Sequence, residues 1–209
     1  MKLKKKVKLL LISIIVILVI AIKSILIIVN LPKKAEKDEP IKVINEVEKY
    51  GYQLKENKSK RYKSLFEELK EILQEETIDE QKYVSKLAEM FIYDFYSLDN
   101  KAAKTDVGGV DFVYKGALEI FLIYAQDTFY KYVESNIYNN RNQELPEVDA
   151  ITIEEISNKQ FAYEGKTDDN AFVVKASWFY TKDQFASYQK SAQLVFIHDE
   201  NKLSLVELK

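Results

Sequence analysis

The stretch Ala171-Phe-Val-Val-Lys-Ala-Ser-Trp-Phe-Tyr180 decides the fold. Phe172, Val174, Ala176, Trp178 and Tyr180 fall at every second position, the period of a strand with one buried face. Downstream, Leu194, Phe196 and His198 alternate, as do Leu203 and Leu205, with Asp199-Glu200-Asn201 placed to turn between them. Upstream, after Pro146, Ile151, Ile153 and Ile156 stand among polar neighbours. About four strands without crossover helices between them predict an antiparallel sheet. Lys182 to Gln189 reads as a longer hairpin loop or one helical turn.

The residues before Asn136 follow another period. From Ser59, Tyr62, Leu65, Phe66, Leu69, Ile72 and Leu73 recur at spacings of three and four, which predicts an amphipathic helix of about 15 residues. Thr77 with Glu80 has capping-box spacing, and Asp79 is the alternative cap of a second helix. That helix carries Tyr83, Leu87, Met90, Phe91, Asp94 and Leu98 on one stripe and stops near Asp99-Asn100. Lys101 to Gly109 reads as a loop, and Val110, Phe112 and Tyr114 as a short strand. Gly116 opens a third helix with a main stripe from Leu118 through Phe121, Leu122, Ala125 and Phe129 to Val133. Ile120, Ile123 and Tyr124 make its other side apolar too, so its first half is expected to be buried on two sides. Ile41 to Val47 is an extended or helical lead-in. Helices first and strands afterwards is an α+β layout, three helices on a curved sheet of about four strands.

The N-terminus is of a different kind. Residues 1–40 hold nine Lys against three acids, a charge of +6, and the rest holds 22 bases against 30 acids, a charge of -8. Residues 1–8 form a basic tail with five Lys. Leu9 to Leu31 is apolar apart from Ser13, Lys23, Ser24 and Asn30, and as a helix would span roughly 34 Å, against a hydrocarbon core of about 30 Å. Lys23 lies close enough to one end to snorkel to the interface. No small-residue cleavage pattern follows, so 9–31 reads as an uncleaved transmembrane signal anchor. The heavier basic flank puts the N-terminus in the cytoplasm and the remainder outside the cell membrane. Pro32 to Pro40 is a polar, proline-bounded linker, and 41–209 is the extracytoplasmic domain.

That element order resembles the cone-shaped NTF2-like superfamily. A basic tail, one span and an outer domain also resemble the inner-membrane assembly proteins of conjugation and type IV secretion. Where that secretion family carries an Asn-Pro-x-Gly turn, the comparable loop here is Asp106-Val107-Gly108-Gly109. The Lys-rich, Arg-poor composition is similar to that of membrane proteins from low-GC Gram-positive bacteria. The resemblance implies an assembly or docking role in the cell envelope, transport- or conjugation-related, with envelope proteins as partners.

Composition narrows the chemistry. With no Cys and one His, thiol catalysis, cysteine-ligated metal and a multi-histidine centre are excluded, and no cofactor is expected. The acidic body disfavours nucleic acid. Asp94 stands on an apolar stripe; it is either a pocket carboxylate or one that accepts hydrogen bonds from the 101–109 loop or a tyrosine. Asp106 with Gly108 and Gly109 is an anion nest or a tight turn. His198, Asp199 and Glu200 alternate across a strand edge and do not converge on an ion. Tyr124, Tyr130, Tyr132 and Tyr138 are a binding surface or a core edge. The reading favours a non-catalytic interaction module; its alternative is a small-molecule-binding or enzymatic domain with Asp94 in its pocket. Oligomeric state has no signature in the chain.

Overall fold

The computed structural model describes residues 41–209, and it is α+β. The tail, the 9–31 span and the 32–40 linker lie outside the described residues. Among the described residues no helix is long and apolar enough to cross a membrane. The elements run β1 (Val43–Val47), β2 (Tyr52–Lys55), α1 (Lys60–Gln74), α2 (Glu80–Tyr96), α3 (Leu118–Asp127), β3 (Val148–Tyr163), β4 (Lys166–Tyr180), β5 (Ser191–Asp199) and β6 (Lys202–Leu208).

The lead-in resolves as a strand, β1, paired antiparallel with β2. Ser59 caps α1 by accepting the Tyr62 N–H, and Asp79 caps α2 by accepting from Gln81 and Lys82. The cap of α2 is thus Asp79, which satisfies two of the free donors of the first turn.

The main sheet has the order β3-β4-β5-β6, every pair antiparallel. The β3–β4 turn is Glu164-Gly165, with φ 43° and 75°, the left-handed pair that a two-residue hairpin requires. β5 pairs with β4 only from Phe172 to Ser177, so the β3–β4 hairpin continues past it as an arm. Breaks in register between Ile153 and Glu155 and between Lys159 and Phe161 mark where β3 departs from regular pairing.

The alternating residues point as their period requires. Phe172, Val174, Ala176 and Trp178 join Leu194, Phe196, Leu203 and Leu205 in the core beneath α1 and α2. On the opposite face Ala171, Val173, Val195 and Ile197 form a smaller cluster, partly covered by Tyr114, Phe161 and Tyr163.

Two expectations are corrected. Val110–Phe112 is a 3-10 turn, and only Val113 bridges to the sheet, parallel to Leu205. The third helix stops at Asp127, six residues before Val133. Tyr130 explains the stop. It is fully buried, and its hydroxyl donates to the Phe95 carbonyl at 2.6 Å and accepts the Gly108 N–H at 3.0 Å. Continuing the helix would turn that side chain away from these partners, so tertiary anchoring overrides helical period.

Candidate functional site

Three places hold charged clusters, open space or exposed apolar surface: the Asp94 cluster, the cleft at the other end of α2, and the outer face of α3.

Asp94 sits in the last turn of α2 and is 5% exposed. Lys58 Nζ donates to both carboxylate oxygens at 2.7 Å, and Lys101 Nζ donates to Oδ1 at 2.9 Å. The Gly109 N–H donates to Oδ2 at 2.8 Å. Burial alone would raise this carboxyl; the ammoniums of Lys101 and Lys58, with the Gly109 N–H, outweigh burial and hold it well below the usual carboxylate range. Asp94 is thus a charged strut between α2, the approach to α1 and the 101–109 loop.

The loop residues gather around it. Gly108 lies so close that a Cβ would fall 2.0 Å from the Asp94 carbonyl oxygen, and Gly109, at φ 74°, would drive one to 2.6 Å from the Phe91 ring. Asp106 does not touch Asp94; its Oδ2 accepts the Ala102 N–H at 2.8 Å and closes the loop on itself. Asp94 and Asp106 border the same crevice, of about 40 Å³, little more than one water's worth of space. Lys58 and Lys101 had no signature of their own. The signal was the acid itself, since a carboxylate on an apolar stripe calls for buried donors.

The space between helices and sheet is filled. Trp178 is 1% exposed and lies 4.2 Å, centroid to centroid, from Tyr96. Phe91, Phe95, Phe121 and Phe129 continue the packing.

At the N-terminal end of α2 lies an open cleft of about 720 Å³. Tyr50, Tyr83, Asn158, Asn170 and Lys202 line it, with His198. His198 Nδ1 is 2.9 Å from Asp168 Oδ2, which also accepts the His198 backbone N–H at 2.7 Å. Its Nε2 is 3.4 Å from Glu80 Oε1. Burial pushes the Asp168 carboxyl up, but the N–H groups of His198 and Asn170 and the imidazole outweigh it and hold it below its ordinary value. The partners of His198 are therefore Asp168 and Glu80, brought from the hairpin arm and from α2. Its sequence neighbour Asp199 accepts the Ser204 hydroxyl instead. Among the described residues no three His or acidic side chains could together hold a metal ion.

The third place corrects an expectation. Phe121, Leu122 and Ala125 of α3 face the core, but Ile120, Ile123 and Tyr124 are 61%, 55% and 67% exposed. Among the described residues nothing covers the second side. Beside it, an apolar groove of about 440 Å³ runs between α3 and the end of β6. β6 is an edge strand. Its Leu203 N–H donates to Tyr83, its Leu203 carbonyl accepts from Tyr52, and its Leu205 carbonyl accepts the Tyr114 N–H. These contacts cover the first half of the edge, and the Val206–Leu208 half borders the groove. The four singled-out tyrosines divide: Tyr130 is core, and Tyr124, Tyr132 and Tyr138 are exposed.

No family model matches the chain, and no curated protein or solved structure matches it either.

Proposed function

We propose that this chain is a single-span membrane protein whose head, an NTF2-like cone fold held outside the cell membrane by residues 9–31, is a non-catalytic docking module for other envelope proteins. The observation that carries the reading is the contrast between a filled interior and an uncovered apolar surface. Aromatic side chains occupy the volume where a cone fold would hold a ligand, and two lysines neutralise the one acid on the core stripe. Ile120 and Tyr124, which line the groove beside the end of β6, and Ile123 on the same helix meanwhile stay exposed. A contiguous exposed apolar patch of this kind marks a binding surface more often than chance exposure does. An extended segment of a partner can pair with the open part of β6 and set its side chains against α3.

The test is chemical cross-linking of the full chain in native membranes, comparing wild type with the Ile120→Ser/Ile123→Asn double variant. Discrete protein adducts in the wild type that disappear in the variant support the reading. Identical adduct patterns, or none with either chain, sink it.

A second reading rests on the His198 cleft, which is roomy and polar and could take a small ligand with hydrogen-bonding groups. It moves the alternative site from Asp94 to the opposite end of α2.

A further inference from the structure

The turn Asn136-Ile137-Tyr138-Asn139 breaks the ordinary rule for turn tips. The Asn139 N–H closes it on the Asn136 carbonyl at 2.9 Å, so Ile137 and Tyr138 occupy the two central positions, where small polar residues are the rule. Both are exposed, at 64% and 62%, and Tyr132 on the same loop is 75% exposed. The turn is firmly braced. The Asn136 N–H donates to the Ala102 carbonyl, and Asn136 Oδ1 accepts the Arg141 N–H. The Arg141 guanidinium donates to the carbonyls of Asp99, Lys101 and Glu134. A rigid mount that pushes an isoleucine and a tyrosine into solvent needs an occupant for them.

The position of the turn identifies that occupant. Lys101 and Ala102 tie it to the Asp94 cluster at the C-terminal end of α2, and Lys58 ties the same cluster to the end of β2. There the Glu56 N–H donates to the Lys42 carbonyl, so the chain enters the domain at that same end. In the sequence, nine residues separate Leu31, the last of the apolar stretch, from Ile41. Fully extended they reach about 30 Å. If residues 9–31 are the anchor, a linker of that length keeps the chain-entry end within about 30 Å of the lipid surface, whereas the His198 cleft lies at the other end of α2.

We propose that the 136–139 turn is a lipid-contacting tip: Ile137 enters the headgroup–acyl boundary of the membrane and Tyr138, with Tyr132, sits at headgroup level. Tyrosine suits that depth because its ring is apolar and its hydroxyl stays wet. Charges around the turn are mixed, with Lys131 and Lys104 against Glu134 and Asp106, so the contact rests on apolar burial and does not require anionic lipid. This inference depends on the membrane-anchor reading above.

The absence of cysteine makes the test clean. The full chain is reconstituted into phosphatidylcholine vesicles with a single cysteine at Ile137→Cys, Tyr138→Cys or, as the control on the hairpin arm, Thr167→Cys. Each carries an environment-sensitive fluorophore. Expected are blue-shifted emission and several-fold stronger quenching by doxyl-labelled lipid at 137 and 138 than at 167. Equal, weak quenching at all three positions in a chain that resists carbonate extraction overturns the tip and leaves the anchor standing. A chain that carbonate strips from the vesicles overturns both. A disulfide forming readily between two copies at position 137 also overturns the tip, since it assigns the turn to a second copy.

Discussion

The two ends of α2 each hold a carboxylate within reach of a basic group, and they behave as opposites. At the C-terminal end Asp94 is sealed, with two ammoniums and a backbone N–H on its oxygens. At the N-terminal end Glu80 and Asp168 flank His198 in an open cleft where the imidazole is 38% exposed. The exposure of the basic group makes the difference: the Lys101 side chain is 4% exposed and that of His198 38%, while those of Asp94 and Asp168 are alike at 7% and 9%. A buried ion cluster is worth little as a gain over apolar packing but costs much to break, because removing Asp94 leaves the Lys101 ammonium charged and buried, with Lys58 only partly in water. An exposed pair is softened by water and can be altered at small cost. The lesson is that one end of the helix is a strut and the other is adjustable.

Removing the sealed acid should have the largest effect. Asp94→Asn leaves two ammoniums without their counter-charge and should destabilise the domain by about 3–5 kcal/mol. Chemical denaturation followed by the fluorescence of Trp178, the only tryptophan and a buried one, reads this directly. Because the Asp94 carboxyl is held low in the folded state, its contribution is complete above the ordinary carboxylate range and fades only as pH falls through the depressed value. The loss in Asp94→Asn should therefore be the same at pH 7 and pH 5. A loss that shrinks on that descent would mean that Asp94 takes up a proton in the folded protein.

Gly109→Ala attacks the same end through the backbone. A Cβ there strains a left-handed residue and strikes the Phe91 ring, so about 1–3 kcal/mol should be lost. At the open end, His198→Ala should cost no more than about 1 kcal/mol, since Glu80 is 56% exposed and Asp168, itself only 9% exposed, keeps the backbone N–H groups of residue 198 and Asn170. A loss near that of Asp94→Asn would erase the contrast. Smallest of all, Ile123→Asn on the uncovered face of α3 should shift stability by no more than about 0.5 kcal/mol. A larger loss would mean that the face is packed in solution.

Much of the fold was legible because its drivers are periodic. The Ser59 cap and the stripe from Tyr62 to Leu73 mark α1, and the alternation of 171–180 marks the central strand with its inward face correctly assigned. Non-periodic features were harder to see. Nothing local in Lys58 or Lys101 says that they converge on Asp94 across 36 and 7 residues. The end of α3 is set by one tyrosine hydroxyl reaching Phe95 and Gly108, a long-range bond without a sequence signature. The apolar outer side of α3 is visible in the sequence, but the expected burial of its first half on two sides is not what the structure has; apolar residues on two sides of a helix also fit one that meets something else. The residues next to His198 in sequence do not disclose its partners, which come from β4 and α2.

A filled interior and an exposed α3 face put the proposed docking contacts on α3 and not in the His198 cleft. The most direct measurement places a photoreactive side chain at position 123 in one chain and at position 198 in another, then irradiates intact cells. A protein adduct is expected from position 123 and none from position 198. An adduct from 198 with none from 123 would overturn the docking proposal and make the cleft the working site.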